Sequence, residues 1–163
     1  MYKTGDIIFV KNKGWLFNNI RDLTDSDFDH VGILSVGDTI MVIDATPLAG
    51  VAMRPIECFR NNEYKVYRLK APYQSFADKM IDYCENNMGR SYDFIQALCL
   101  YVMIAFKMKT TLDPVDIRNA FVCSELISQA AEYAGFYFVD NKIATDRITP
   151  ADILYSNKLY EVD

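Results

Sequence analysis

Short apolar runs bounded by glycine, proline and polar turns fill the N-terminal part of the chain. Asp6-Ile-Ile-Phe-Val10 is one such run, placed after a glycine. Phe28 to Val36 is a second, in which Val31, Ile33 and Ser35 alternate with His30, Gly32 and Leu34. Gly37-Asp38 signals a turn, Ile40 to Thr46 makes a third run, and Pro47 with Gly50 ends it. Val51–Pro55 and Tyr64–Leu69 complete a set of about five strands. The stretch Lys11–Asp27 is polar, with Trp15, Leu16 and Phe17 embedded, and reads as a loop or a short helix over the sheet.

Beyond Pro72 the period changes. Phe76, Met80, Ile81 and Cys84 recur at helical spacing until Gly89 stops the pattern. Phe94–Phe106 is a second helix, apolar but for Gln96, followed by a polar loop, Lys107–Arg118, that contains Pro114. Phe121–Ala134 is a third, with Gly135 as its stop. The tail Ile148–Tyr155 reads as a turn and then one more strand or helical turn. The pattern is that of an α+β protein, an antiparallel sheet of about five strands packed against three helices. No repeat or linker divides it, so residues 1–163 form a single domain on this reading. Phe94–Phe106 falls short of the ~18–20 residues that span a bilayer. It is a buried central helix, or a lipid-facing one beside a lipid substrate.

Composition narrows the function. An apolar fraction of 51% with 24% charged residues is enough for a packed core and excludes wholesale disorder. The 17 Lys and Arg against 22 Asp and Glu leave a net charge of -5, without the basic surplus that a nucleic-acid partner demands. The four cysteines, Cys58, Cys84, Cys99 and Cys123, form no C-x-x-C pair, and the only histidine, His30, is not spaced as their zinc partner. Neither a metal, another cofactor nor a disulfide scaffold is expected. The N-terminal Met-Tyr-Lys-Thr-Gly-Asp lacks the apolar core of a signal peptide, which points to reduced thiols in a cytoplasm.

Two residues gain interest together. Cys123 falls at the start of a helix, where the dipole and unpaired backbone N–H groups favour a thiolate and can hold a developing oxyanion. A histidine within reach would complete a nucleophile–base pair, and His30 is the only one available. Its orienting partner is sought among the acids. Asp44 interrupts the apolar strand Met41-Val-Ile-Asp-Ala-Thr46, so it either faces solvent on an edge strand or has a partner. Asp29 neighbours His30 and therefore points to the opposite face, which ranks it lower.

The order of these pieces resembles the circularly permuted papain-like fold of the NlpC/P60 superfamily, in its YiiX/YebB-like branch of cysteine hydrolases. The matching segments are Gly5-Asp6-Ile-Ile-Phe9, Asp29-His-Val-Gly-Ile33, Ile43-Asp-Ala-Thr-Pro47 with Gly50-Val51, Tyr92-Asp93-Phe94, Val122-Cys-Ser-Glu-Leu-Ile127 and Ile148-Thr-Pro-Ala-Asp152. They run in the family's order along nearly the whole chain. The resemblance implies that Cys123 is the nucleophile and His30 the general base. Asp44 stands where the family places a third polar residue, often Glu. Tyr92 aligns with a substrate-pocket tyrosine, Asp6 with a structural turn, and Ser124 and Glu125 with packing positions.

The leading function is then a thiol hydrolase that cleaves an amide or ester of a small peptide or amino-acid conjugate through an acyl-enzyme. The alternative is a lipid acyl hydrolase or acyltransferase resembling the lecithin:retinol acyltransferase-like enzymes. A binding module that has lost activity is a third class, against which the retained Cys123, His30 and Asp44 argue. Two geometric expectations follow. A hairpin loop Gly37-Asp38-Thr39 sets His30 opposite Thr46 and Asp44 opposite Gly32, on one face with Cα atoms about 7–8 Å apart or somewhat closer, whereas a two-residue loop turns Asp44 away. Tyr92, at the break after Gly89, should bring its hydroxyl into the pocket of the Cys123 thiol.

Overall fold

The protein is described by a computed structural model, which covers residues 1–92, 120–121, 123–139, 144–145 and 148–162. In chain order it contains β1 (Ile7–Lys11), α1 (Trp15–Thr24), β2 (His30–Val36), β3 (Ile40–Thr46), β4 (Gly50–Pro55), β5 (Glu63–Leu69), α2 (Ala77–Asn86), β6 (Ser91–Tyr92), β7 (Ala120–Phe121), α3 (Cys123–Ala134), α4 (Pro150–Leu154) and β8 (Leu159–Val162). The order across the main sheet is β4-β3-β2-β1-β5-β8, antiparallel throughout. A separate parallel pair joins β6 to β7.

Both faces of this sheet are covered, which is why its central strands read as continuous apolar runs. Ile7, Phe9, Val31, Ile33 and Ile43 pack against Met80, Ile81 and Cys84 of α2 and Leu126, Ile127, Ala130 and Ala131 of α3. Ile8, Val10, Leu34 and Val42 pack on the other side against Ile56 and Phe59 of a short 3-10 turn, Ile56–Phe59. The helical period recognised after Pro72 thus supplies one layer, and the turn after β4 supplies a thin second one.

The expected α+β architecture is present, with corrections in detail. The sheet has six strands rather than about five. The added one is β8, a four-residue segment that becomes a strand by pairing along the edge of β5. There Leu159 faces Leu69, Val162 faces Val66 and Lys65 bonds Glu161 at 2.9 Å. Lys11–Asp27 contains the helix α1, and the tail after Ile148 forms the helical turn α4. Thr149 and Asp152 close a reciprocal capping box on it, with Pro150 as its first residue. The third helix starts at Cys123, because Ala120 and Phe121 are taken by the strand β7. The proposed helix 94–106, the loop 107–118 and Cys99 lie outside the described residues. Among those described, no helix is long and apolar enough to cross a membrane.

The start of β1 is fastened by Asp6, which is buried. Its carboxylate accepts from the Lys3 amide at 2.7 Å and from Arg68 Nε and Nη2 at 2.7 and 2.8 Å. We expect Asp6→Ala to lower stability by about 1.5–3 kcal/mol, read as a drop in the urea unfolding midpoint, since it removes hydrogen bonds to a charged group. The loss should leave thiol chemistry at Cys123 intact, because Asp6 sits at the end of β1 away from the start of β2.

Candidate active site

At the other end of the sheet β2 begins with His30, β3 ends near Asp44, β4 begins with Gly50 and α3 begins with Cys123. The β2–β3 loop is Gly37-Asp38-Thr39, and the pairs Ile33–Ile43 and Val36–Ile40 fix the register that sets His30 and Asp44 on a common face. His30 Nε2 lies 2.7 Å from Asp44 Oδ2. The contact is possible because Gly32 stands opposite Asp44. A methyl group there would meet Val42 Cγ1 at 2.8 Å and Asp44 Cβ at 3.2 Å, so the carboxylate leans across an empty position to reach the ring.

Asp44 has no solvent exposure. It has a second basic partner that the linear pattern did not disclose. Arg54 Nε donates to Asp44 Oδ1 at 3.2 Å, and Arg54 Nη2 donates to Oδ2. Arg54 lies opposite Val42 across β3–β4, hence diagonal to Asp44 on the same face. The sequence signal for this pairing is the short loop Pro47-Leu-Ala49, which sets the β3–β4 register through Thr46 opposite Gly50. Phe59 supports the cluster: its ring lies under the Arg54 guanidinium at 4.9 Å and stacks with His30 at 6.4 Å between centroids.

Cys123 is 4% exposed and occupies the first position of α3. A hydrogen-bonding and electrostatic interaction links its thiol to His30. With Nε2 engaged by Asp44, the ring nitrogen left for sulfur is Nδ1. Burial of the imidazole lowers its pKa, but the charge on Cys123 and the bonds from Asp44 and Cys123 outweigh that and raise it to about 10. Burial of Asp44 pushes its carboxyl upward, while His30 and Arg54 more than offset this and hold it below its ordinary value. The pair is therefore poised as imidazolium and carboxylate, with the Cys123 sulfur beside the ring.

The seating of Cys123 comes from β6 and β7. The Val51 amide donates to the Arg90 carbonyl at 2.8 Å and the Gly89 amide to the Val51 carbonyl at 2.8 Å, pinning the segment before β6 to the start of β4. Phe121 of β7 pairs with Tyr92 of β6, and α3 follows at once. Gly50 makes this approach possible, with φ of 64° and only 2.1 Å between the place of a Cβ and the Arg90 oxygen.

The other sequence candidates separate cleanly. Asp29 points to the opposite side from His30, where Arg21 Nη1 and Asn12 bind it, so it is no orienter. Cys84 is buried on α2, and desolvation together with Glu85 pushes its thiol up to about 12. Cys58 is exposed. Tyr92 is in β6, immediately before the undescribed segment; its side chain lies outside the described residues. Glu125 is buried on α3 and accepts from Gln129 Nε2 at 2.7 Å, and Gln129 in turn accepts from Tyr83 at 2.6 Å, a chain that ties α3 to α2. Among the described residues no three His, Cys, Asp or Glu side chains group as a metal site.

Gly50→Ala should therefore disturb the site more than its distance from Cys123 suggests. We expect it to lower the rate of iodoacetamide labelling of Cys123 at mildly acidic pH at least several-fold, measured by peptide mass mapping, because the Arg90 carbonyl must retreat and β6 and β7 with it.

Comparison with known proteins agrees with this fold. The fold is similar to the crystal structure of the metalloprotein yiiX from Escherichia coli O157:H7, with a TM-score of 0.71 at 18% identity, over 99% of this chain and 96% of that one. Comparison with curated proteins finds no match. The family model of the permuted papain-like amidase enzymes, YaeF/YiiX, C92 family, matches residues 1–162. With the match running the length of the chain, the protein belongs to this family of permuted papain-like amidases, a family of cysteine hydrolases.

Proposed function

We propose that the protein hydrolyses an amide, or an ester, of a small peptide or amino-acid conjugate through an acyl-enzyme on Cys123, with His30 as acid and base and Asp44 as its orienter. The observation that carries this reading is the single imidazole held between two partners: Asp44 Oδ2 at 2.7 Å from Nε2 and the Cys123 thiol on its other side, at the first residue of a helix.

The steps follow from that arrangement. The Cys123 thiolate attacks the carbonyl carbon, and the carbonyl π electrons move to oxygen. The first N–H groups of α3 lack intrahelical acceptors and face that oxyanion with the positive end of the helix dipole. As the tetrahedral species collapses, the imidazolium gives its proton to the leaving amine and the C–N bond breaks, leaving a thioester and a neutral imidazole. His30 then takes a proton from water as the oxygen attacks the thioester. Collapse of the second tetrahedral species expels the Cys123 thiolate, restores the starting ion pair and releases the acid. Tyr92, by the family resemblance, contributes to substrate binding.

A lipid acyl substrate remains the competing reading of the same chemistry. Incubation with short peptide amides and with phospholipids, followed by intact-mass detection, separates them. Acyl adducts on Cys123 from the peptide amides support the proposal, adducts from phospholipid alone transfer it to lipid acyl chemistry, and no adduct from either defeats it.

Three variant experiments follow. Cys123→Ala should abolish turnover while the fold persists, and His30→Ala should lower kcat/KM by roughly 10²–10⁴-fold. Iodoacetamide at mildly acidic pH should label Cys123 ahead of Cys58, Cys84 and Cys99, and His30→Ala should slow that labelling. The third concerns pH. Acylation needs His30 protonated, and its pKa lies near 10, so the rate falls as pH rises through that range. Asp44→Asn removes a carboxylate that favours the imidazolium, so the alkaline limb of the kcat/KM profile should move to lower pH by about 1–3 pH units.

A further inference from the structure

A buried carboxylate that serves a histidine faces a problem when the histidine changes charge. In the cycle proposed above, His30 is a cation before acylation and neutral afterwards. While it is neutral, Asp44 would be an ionised group without solvent and without a cation. It would then draw a proton from solvent, to itself or to His30. Either outcome removes the base that must accept the proton of the attacking water.

The geometry around Asp44 supplies an answer. Arg54 grips it side-on through Nε and Nη2, one donor to each oxygen, while His30 shares Oδ2. Ala52 is the residue directly opposite Asp44, and its small side chain leaves the diagonal open for the arginine. The Arg54 side chain is 30% exposed and Asp44 is not exposed at all, so the guanidinium roofs the carboxylate from the solvent side. Phe59 lies beneath both cations, under the guanidinium and stacked with the imidazole, with planes 26° apart.

We propose that Arg54 is a positioning residue of this site: it is the permanent counter-charge that keeps Asp44 ionised in both protonation states of His30, and with Phe59 it holds the imidazole facing Cys123. The inference rests on the hydrolase reading. A guanidinium suits the role because it never deprotonates in the working range and its planar fork matches a carboxylate. A lysine would carry the charge without the fork. The other groups that face His30 among the described residues are Cys123 from α3 and Asp44 from β3, with Arg54 behind Asp44 from β4. Asp29 is on the other side, paired with Arg21.

His30 is the only histidine, so its imidazole Hε1 resonance needs no assignment. The titration is followed in a Cys123→Ala background, which removes the sulfur charge. Removing the guanidinium makes the proton shared by His30 and Asp44 harder to lose. Arg54→Met should therefore raise the His30 midpoint by about one pH unit or more, and Arg54→Lys should bring it back most of the way. If the Met protein does not fold, Arg54→Gln carries the same comparison. With Cys123 present and p-nitrophenyl acetate as acyl donor, Arg54→Met should accumulate acetyl-Cys123 at neutral pH and clear it as the pH is raised. A folded Arg54→Met protein with an unmoved His30 midpoint overturns the proposal. A wild-type protein that forms no acyl adduct from any donor overturns the hydrolase reading instead, and the two failures are read from different spectra.

Discussion

Asp44 sits at the end of a six-stranded sheet with no contact to water, and a charge in that position has to be matched. His30 matches it from β2 and Arg54 from β4, so the carboxylate ties together three neighbouring strands. The arrangement works in both directions. Two bonded cations keep Asp44 ionised, and the ionised carboxylate in turn favours the imidazolium that faces Cys123. Breaking a buried ion pair on one side typically costs about 3–5 kcal/mol, so the cluster is under strong pressure to stay whole. Orientation of the ring, its proton and the alignment of the strands share one origin.

The two ends of the sheet divide the work. At one, Asp6 holds Arg68 and the Lys3 amide and fastens the N-terminus to β5. At the other, Gly32 and Gly50 remove side chains where a carboxylate and a carbonyl must pass. The second pair shows how a helix from late in the chain is aimed at residues from its beginning. Close approach of the Arg90 carbonyl to the start of β4 places β6, β6 places β7, and Cys123 opens the helix directly after it. The apolar faces of α2 and α3 then hold the helix layer against the sheet through Met80, Leu126 and Ile127.

Membership of the permuted papain-like amidases fits this economy. At 18% identity the fold still overlays yiiX with a TM-score of 0.71, which reflects how little of a packed sheet-and-helix core depends on particular side chains. The chemistry proposed for the site asks for more: a thiol at a helix start, an imidazole on the first residue of a strand, and a carboxylate that can reach it. Those demands fall on few positions: Cys123 and His30 each open an element, and Asp44 lies within β3 opposite Ala52 of β4.

Local pattern carried much of this. Strand runs with turn residues between them, and a period change after Pro72, sufficed for the α+β class, because side-chain alternation is a short-range property; for β2 on β3 the pattern left two loop lengths, and the folded hairpin takes the three-residue one, Gly37-Asp38-Thr39. That register is what brings His30 to Asp44. The rest needed the folded chain. β8 is a strand only because β5 offers an edge, the helix begins at Cys123 only because Phe121 is claimed by β6, and α1 was indistinguishable from a loop until Arg21 was paired with Asp29. Arg54 reads in the sequence as one more polar residue on a strand. Its meeting with Asp44 is decided by the pairing of β3 with β4 and by the burial around them, and a charge acquires a partner only when distant segments are placed side by side in a medium that screens it poorly.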